Sequence, residues 1–282
     1  MIKDSDTNFV FLSGLLKSDI RFSSNCNLLT SILNYHQIHY DFLKNTRDIW
    51  ARDYMPIQKD IDSFVQFRYE PSYLQDELNL QSDPKIVCAA NKIKPIFSNI
   101  NLDGGNVIKW HDKVIISKRA VKENNEYNES KLIDELEKLL EVQIFLVPDI
   151  NYGNDITGHA DGYVRFLNDK TILVNDLKNE FKYWQSGFRE MIKQTGFEYI
   201  EIPWFEHKDK NYPHSALGIY LNYLEIGDLI ILPIFEIKGN KDQKVLDLFK
   251  EIFPTKHIET ININSVGLEG GLMNCITWNI KI

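Results

Sequence analysis

Three stretches of the chain repeat one pattern of apolar and polar positions. In residues 103–117 an apolar segment meets a polar turn, His111-Asp112-Lys113, and continues as Val114-Ile115-Ile116. Residues 159–175 do the same, with Asn168-Asp169-Lys170 as the turn and Ile172-Leu173-Val174 after it. Residues 217–233 turn at Gly227-Asp228 and run on as Leu229-Ile230-Ile231-Leu232. Each predicts two strands joined by a tight turn. A segment with helical spacing follows each pair, at 130–141, 184–195 and 242–253. In the first of these, Ser130 is the expected N-cap, with Ile133, Leu136, Leu139 and Leu140 on the buried face. A further short strand is expected after each helix, at 142–147, 197–202 and 257–263.

An earlier copy starts near Trp50, turns at Lys59-Asp60 and continues through residues 64–67, with a helix expected at 83–91. A last copy begins near Gly270 and runs out at Ile282. Its missing half lies at the other end of the chain, as a strand at 8–12, a helix at 25–35 and a strand at 37–42. Corresponding positions are separated by 50 residues (Asp53 to Asp103), 56 (to His159), 61 (to Tyr220) and 55 (to Cys275). One such unit cannot bury its own apolar face, so repeats stack. The fold class expected is α/β: a single domain, residues 1–282, built as a five-fold pseudosymmetric α/β propeller, with the N- and C-terminal segments sharing one unit. An ordinary α/β sandwich with accidental regularity is the competing expectation.

Composition narrows the function classes. The net charge of −8 over 282 residues argues against a nucleic-acid binder and suits a cationic small molecule, although solubility alone accounts for it equally well. Three cysteines with no CxxC spacing argue against a disulfide framework or a zinc ribbon and favour a reducing compartment, hence a cytoplasmic location. The first residues lack a basic leader, and no apolar run has the length of a membrane span, so neither secretion nor membrane association is expected.

Candidate chemistry falls on or beside the first strand of each unit: Asp53, Asp103, His159 with Asp161, and Cys275. If those strands line one axis, these residues meet in one cleft. Cys275 follows Gly270-Gly271, which permits close approach of a ligand to the backbone. Taken singly, each has a plain structural explanation: a small buried hydrophobe for Cys275, a turn for His159 and Asp103, a salt bridge under Trp50 for Arg52-Asp53. Cys26 and Cys88 fit the buried reading. At i and i+2 of a strand, His159 and Asp161 would share a face. As a metal pair they are weakly supported. Taken together, a nucleophile, an acid/base group and several carboxylates suit a guanidinium, which is flat, charged and gripped bidentately by carboxylates.

The segments Trp50-Ala51-Arg52-Asp53, Asp103-Gly104-Gly105-Asn106, Gly158-His159-Ala160-Asp161 and Gly270-Gly271 with Cys275-Ile276-Thr277 resemble, in order, the motifs of agmatine deiminase and the Porphyromonas-type peptidylarginine deiminase family. Residues 215–224, with Tyr220-Leu221-Asn222-Tyr223, resemble its fourth-unit strand. The resemblance implies the five-fold fold called the pentein. It implies hydrolytic deimination of a guanidino substrate through a Cys275-linked thiouronium, with no metal or organic cofactor. It also implies that His159 carries protons, Asp53 and Asp161 bind guanidinium nitrogens, Asp103 supports His159 and Trp50 lines the substrate channel. Agmatine is the first substrate expected, with polyamine biosynthesis as the setting and a homodimer as one assembly. Free or peptidyl arginine, amidino transfer and catalytically silent guanidino binding are the alternatives. Gly162 and Leu272-Met273-Asn274 depart from the usual agmatine deiminase motifs and bear on the choice of substrate more than on the chemistry.

Overall fold

The computed structural model describes residues 1–150 and 155–282. It has a mixed α/β architecture of five three-stranded sheets. The first unit in the chain pairs strands β3 (Ile57–Asp60), β4 (Ser63–Arg68) and β5 (Ile96–Asn101). The next three contain β6 (Val107–Lys109), β7 (Lys113–Ser117) and β8 (Gln143–Val147); β9 (Val164–Phe166), β10 (Thr171–Asn175) and β11 (Glu198–Ile202); and β12 (Leu224–Ile226), β13 (Leu229–Ile234) and β14 (His257–Asn262). The fifth sheet joins the two ends of the chain: β15 (Thr277–Ile280) pairs with β1 (Phe9–Ser13), which pairs with β2 (His39–Leu43).

Every sheet follows one rule. The central strand is antiparallel to the first and parallel to the third. A parallel return needs a crossover, and in each unit a helix supplies it: α1 (Ser23–Tyr35), α2 (Pro84–Ala90), α3 (Glu129–Leu140), α4 (Lys182–Thr195) and α5 (Asp242–Ile252). Central strands of this kind are covered on both faces and read as continuous apolar runs. Val114, Ile115, Ile116, Ile172, Leu173, Val174, Ile230, Ile231 and Leu232 are accordingly all buried.

The helices bury a single stripe. In α3 it is Leu132, Leu136 and Leu140, four residues apart; Ile133 and Leu139, expected on that face, lie at its margins. The expected N-cap is also corrected. Asn128, not Ser130, precedes the helix, and its side chain accepts from the Lys131 N–H at 2.8 Å. An Asn in extended backbone is a strong cap, so the helix starts before Ser130 is reached. At α2 the expected limits hold: Asp83 caps the start, with Pro84 in the first turn, where its missing N–H costs nothing. The first hairpin turns after Asp60 rather than at Lys59-Asp60, because a register shift between Gln58 and Asp60 lengthens β3. Cys26 and Cys88 are buried on α1 and α2. No described helix is long and apolar enough to cross a membrane.

Ile230, wholly buried on a central strand, gives a direct check of this core. Ile230→Ala is expected to cost about 2–5 kcal/mol in urea unfolding, whereas the half-exposed Leu28→Ala should change the midpoint little.

Candidate active site

The candidate residues do not sit on the first strands. They sit one step earlier, in or just ahead of short turns that lead into them: the helical turns Ala51–Tyr54 before β3, Gly104–Asn106 before β6 and Ala160–Gly162 before β9, and the turn at residues 273–276 before β15. His159 and Asp161 therefore are not i, i+2 neighbours on a strand. His159 is the extended residue just ahead of a 3-10 turn that contains Asp161. Side chains at a helical turn fan out from the backbone, so adjacent residues of one segment reach different partners.

Glycine makes this crowding possible. The Gly105 N–H donates to Asp53 Oδ1 at 2.9 Å. A Cβ on Gly105 would fall 2.6 Å from both Asp53 Oδ1 and His159 Nδ1, and one on Gly104 would fall 2.0 Å from the Arg52 carbonyl oxygen. The Gly-Gly pair is required by this close approach of two turns.

Two sets of contacts result. In the first, His159 Nε2 lies 2.7 Å from Asp103 Oδ2, and Nδ1 lies 3.5 Å from Asp53 Oδ1. The Tyr73 hydroxyl donates to the same Asp103 oxygen at 3.0 Å, and its ring stands edge-on to the imidazole, 6.0 Å between centroids. Burial alone would lower the His159 pKa. Asp53, Asp103 and Asp161 override it and raise it to about 10, so the ring is an imidazolium at neutral pH. Asp53 is pushed up by burial and by its neighbouring carboxylates, against the pull of His159.

In the second, the Cys275 thiol donates to Asp161 Oδ2 at 3.6 Å, and Asn274 Nδ2 donates to that oxygen at 2.7 Å. Asn222 Nδ2 lies 3.2 Å from Cys275 Sγ. Burial, then Asp161 and Asp53, hold the thiol well above its ordinary pKa. Asp161 and Asp53 act on both the sulfur and the imidazole, which ties the two sets into one site. Trp50 borders it: a Cβ on Gly271 would lie 2.5 Å from the indole and 2.9 Å from the Cys275 Cβ. The Trp50 N–H is held by buried Asp48 at 2.8 Å.

Arg52 and Asp53 form no salt bridge with each other; they diverge. The Arg52 N–H donates to the Cys275 carbonyl at 3.1 Å, Nε donates to the Asn274 carbonyl at 3.2 Å, and Nη2 donates to Asn279 Oδ1 at 2.6 Å. This side chain fastens the Asp53 turn to the Cys275 turn. Beside it, Asp4 bonds Arg165 at 2.8 Å and Lys109 at 3.2 Å. Burial would raise the Asp4 pKa, but Lys109, Arg165 and Arg52 hold it well below the carboxylate range.

The structure thus brings together Asp53, Asp103, His159, Asp161, Cys275 and Trp50. It adds Tyr73, Asn222 and Asn274, which the sequence reading missed. Asn222 and Asn274 each lay inside a segment already singled out. Nothing in the sequence around Tyr73 marks it, because its position depends on how residues 69–83 fold back. Among the described residues no group of three or more His, Cys, Asp or Glu could hold a metal ion.

The family model for Porphyromonas-type peptidyl-arginine deiminase matches residues 18–280. No curated protein matches in sequence. Among solved structures, a substrate-bound cysteine-to-serine variant of C. jejuni agmatine deiminase superposes with a TM-score of 0.76 at 18% identity, covering 99% of this chain and 95% of that one. Agmatine deiminase of Enterococcus faecalis gives 0.74 at 15% identity, covering 99% and 94%. DDAH from Pseudomonas aeruginosa gives 0.54 at 11% identity, covering 97% and 99%. At these identities the likeness is one of fold.

Asp103→Asn removes a charge partner of the imidazolium and is expected to lower the His159 pKa by about 1–3 units, read by an NMR titration of the ring. The sign for stability follows. With its pKa raised, His159 contributes stability that is full below 6.5, its ordinary value, and is lost as pH rises through about 10. In Asp103→Asn that loss should be smaller and complete at lower pH.

Proposed function

The chain belongs to the Porphyromonas-type peptidyl-arginine deiminase family, and from that premise we propose that it hydrolyses a guanidino substrate of agmatine type to a ureido product and ammonia, with Cys275 as nucleophile. The observation that carries this reading is electrostatic. Asp53 and Asp161 are buried and Asp103 partly buried around one site. Asp53 and Asp103 lie against the His159 imidazolium, whereas Asp161 is in hydrogen-bond contact with Asn274 and the Cys275 thiol, with buried Arg52 and Arg165 acting on it from further off. No ion-pair partner is in contact with Asp161 among the described residues, and Asp53 is pushed up by burial, so this pair is left with a deficit of positive charge; burying unpaired carboxylates is costly. A flat cation between Asp53 and Asp161 makes up the deficit, and its fork of N–H groups matches carboxylate geometry.

The chemistry follows from the same charges. In the free enzyme the thiol is neutral, its proton directed at Asp161. Arrival of a guanidinium beside the sulfur adds the positive charge that favours the thiolate, and the thiol proton passes to solvent, where the released ammonia takes it up as ammonium. Sγ then attacks the central carbon, and the C–N π electrons move onto nitrogen. His159, an acid at neutral pH, gives its proton to the departing nitrogen. Ammonia leaves and a Cys275-linked thiouronium remains. His159, now neutral, takes a proton from water as the oxygen adds to the same carbon. The S–C bond breaks to release the ureido product and restore the thiol. The carboxylates hold the carbon in reach of sulfur throughout, so proximity and covalent catalysis act together. Trp50 lines the approach for the substrate tail. The five sheets, in this reading, close into a single ring with the turns that precede their first strands converging on its axis.

A panel of agmatine, free arginine, an arginine peptide and methylated arginines, assayed for ureido product, tests the reading. Agmatine should give the highest kcat/KM, and Cys275→Ala should lower kcat by a factor on the order of 10³ or more. Turnover that survives in Cys275→Ala would remove the mechanism. Asp53→Asn and Asp161→Asn should each raise KM as well as lower kcat, because both hold the cation.

A further inference from the structure

The nucleophile has a second polar neighbour for which the reaction scheme gives no role. Asn222 is buried, in the segment just before β12, and its side chain is spanned by Cys275 itself. Its Oδ1 accepts from the Asn274 N–H at 3.0 Å and from the Cys275 N–H at 3.3 Å. Its main-chain carbonyl also accepts from the Asn274 N–H, at 3.2 Å. With the oxygen held by two backbone donors, the amide has one orientation. Flipping it would set an NH₂ group against two N–H groups. Nδ2 is therefore directed at Sγ, 3.2 Å away.

We propose that Asn222 is a catalytic residue of this site: its side-chain amide, locked by the backbone of the nucleophile's own turn, donates a hydrogen bond that holds Sγ in place and strengthens when the sulfur becomes an anion. The two neighbours of the sulfur respond oppositely to ionisation. Asp161 accepts from the thiol and becomes a like charge once the proton has gone. Asn222 changes from a weak donor to neutral sulfur into a donor to an anion, which is a stronger bond. It thus offsets part of the repulsion from Asp161 and Asp53 that keeps the free thiol protonated. The same bond keeps the sulfur from turning away during attack and again when the S–C bond breaks.

The role of Asn222 in turnover rests on the deiminase reading, but its effect on the thiol does not. The test is the pH dependence of Cys275 alkylation by iodoacetamide, resolved from Cys26 and Cys88 by peptide mass mapping. Wild type is compared with Asn222→Asp, which keeps the Oδ1 acceptor but replaces the donor with a charged oxygen, and with Asn222→Ala, which removes the donor without adding a charge and must shift the profile in the same direction. The alkylation midpoint should rise by about one pH unit or more, a tenfold or greater loss of rate at a fixed pH below it. A merely structural role would lower the thermal midpoint and leave the profile of the folded fraction in place. A folded Asn222→Asp or Asn222→Ala protein whose profile superimposes on wild type overturns the proposal. If either variant does not fold, Asn222→Ser, which is smaller and removes Nδ2, is judged by the same criterion. Failure of the deiminase reading has a separate signature, namely no ureido product from the wild type with any member of the substrate panel.

Discussion

The electrostatics of a buried acidic pocket govern this protein. Asp53 and Asp161 are withdrawn from water and Asp103 partly so, and the His159 imidazolium lies against Asp53 and Asp103 but makes no ion pair with Asp161. The imidazole is kept charged because the carboxylates outweigh the cost of burial. The thiol is kept neutral for the converse reason, since the same carboxylates repel a thiolate. Sulfur and imidazole are thus both held in protonated form by one field.

Such a field is sustained only by rigid surroundings. The turns that carry the reacting groups come from separate units, and specific contacts knit them together. Gly105 lets the Asp103 turn lie against Asp53 and His159. Arg52 reaches across to the carbonyl of Asn274 and to Asn279. Asn274 fixes Asp161, and Asn222 grips the backbone of the Cys275 turn. The repeated strand–strand–helix–strand unit supplies the stiffness behind these contacts, with its central strands mostly buried. The fifth sheet, built from both ends of the chain, anchors the strand that follows Cys275 directly to β1.

The position of the site follows from the same architecture. The clustered side chains gather where a unit begins, just ahead of its first strand, because glycine-rich turns there let backbone and side chains approach more closely than strands permit. This explains why His159 and Asp161, two residues apart, divide their contacts: His159 lies between Asp103 and Asp53, while Asp161 faces the sulfur.

Much of this was legible in the amino-acid order alone. Apolar periodicity located the strands and crossover helices, because burial on both faces or along one stripe leaves a local imprint. The spacing of the copies revealed the repeat and the sharing of one unit by the two termini. The candidate set, Asp53, Asp103, His159, Asp161 and Cys275, could be named because each falls at an equivalent point of its unit, and Trp50 was added by the family resemblance. Tertiary structure alone decided how these residues pair, that Arg52 turns away from Asp53, and that Tyr73, Asn222 and Asn274 belong to the site. Those are contacts between segments distant along the chain. Their geometry depends on the angles at which separate turns meet, and no local pattern of residues encodes that.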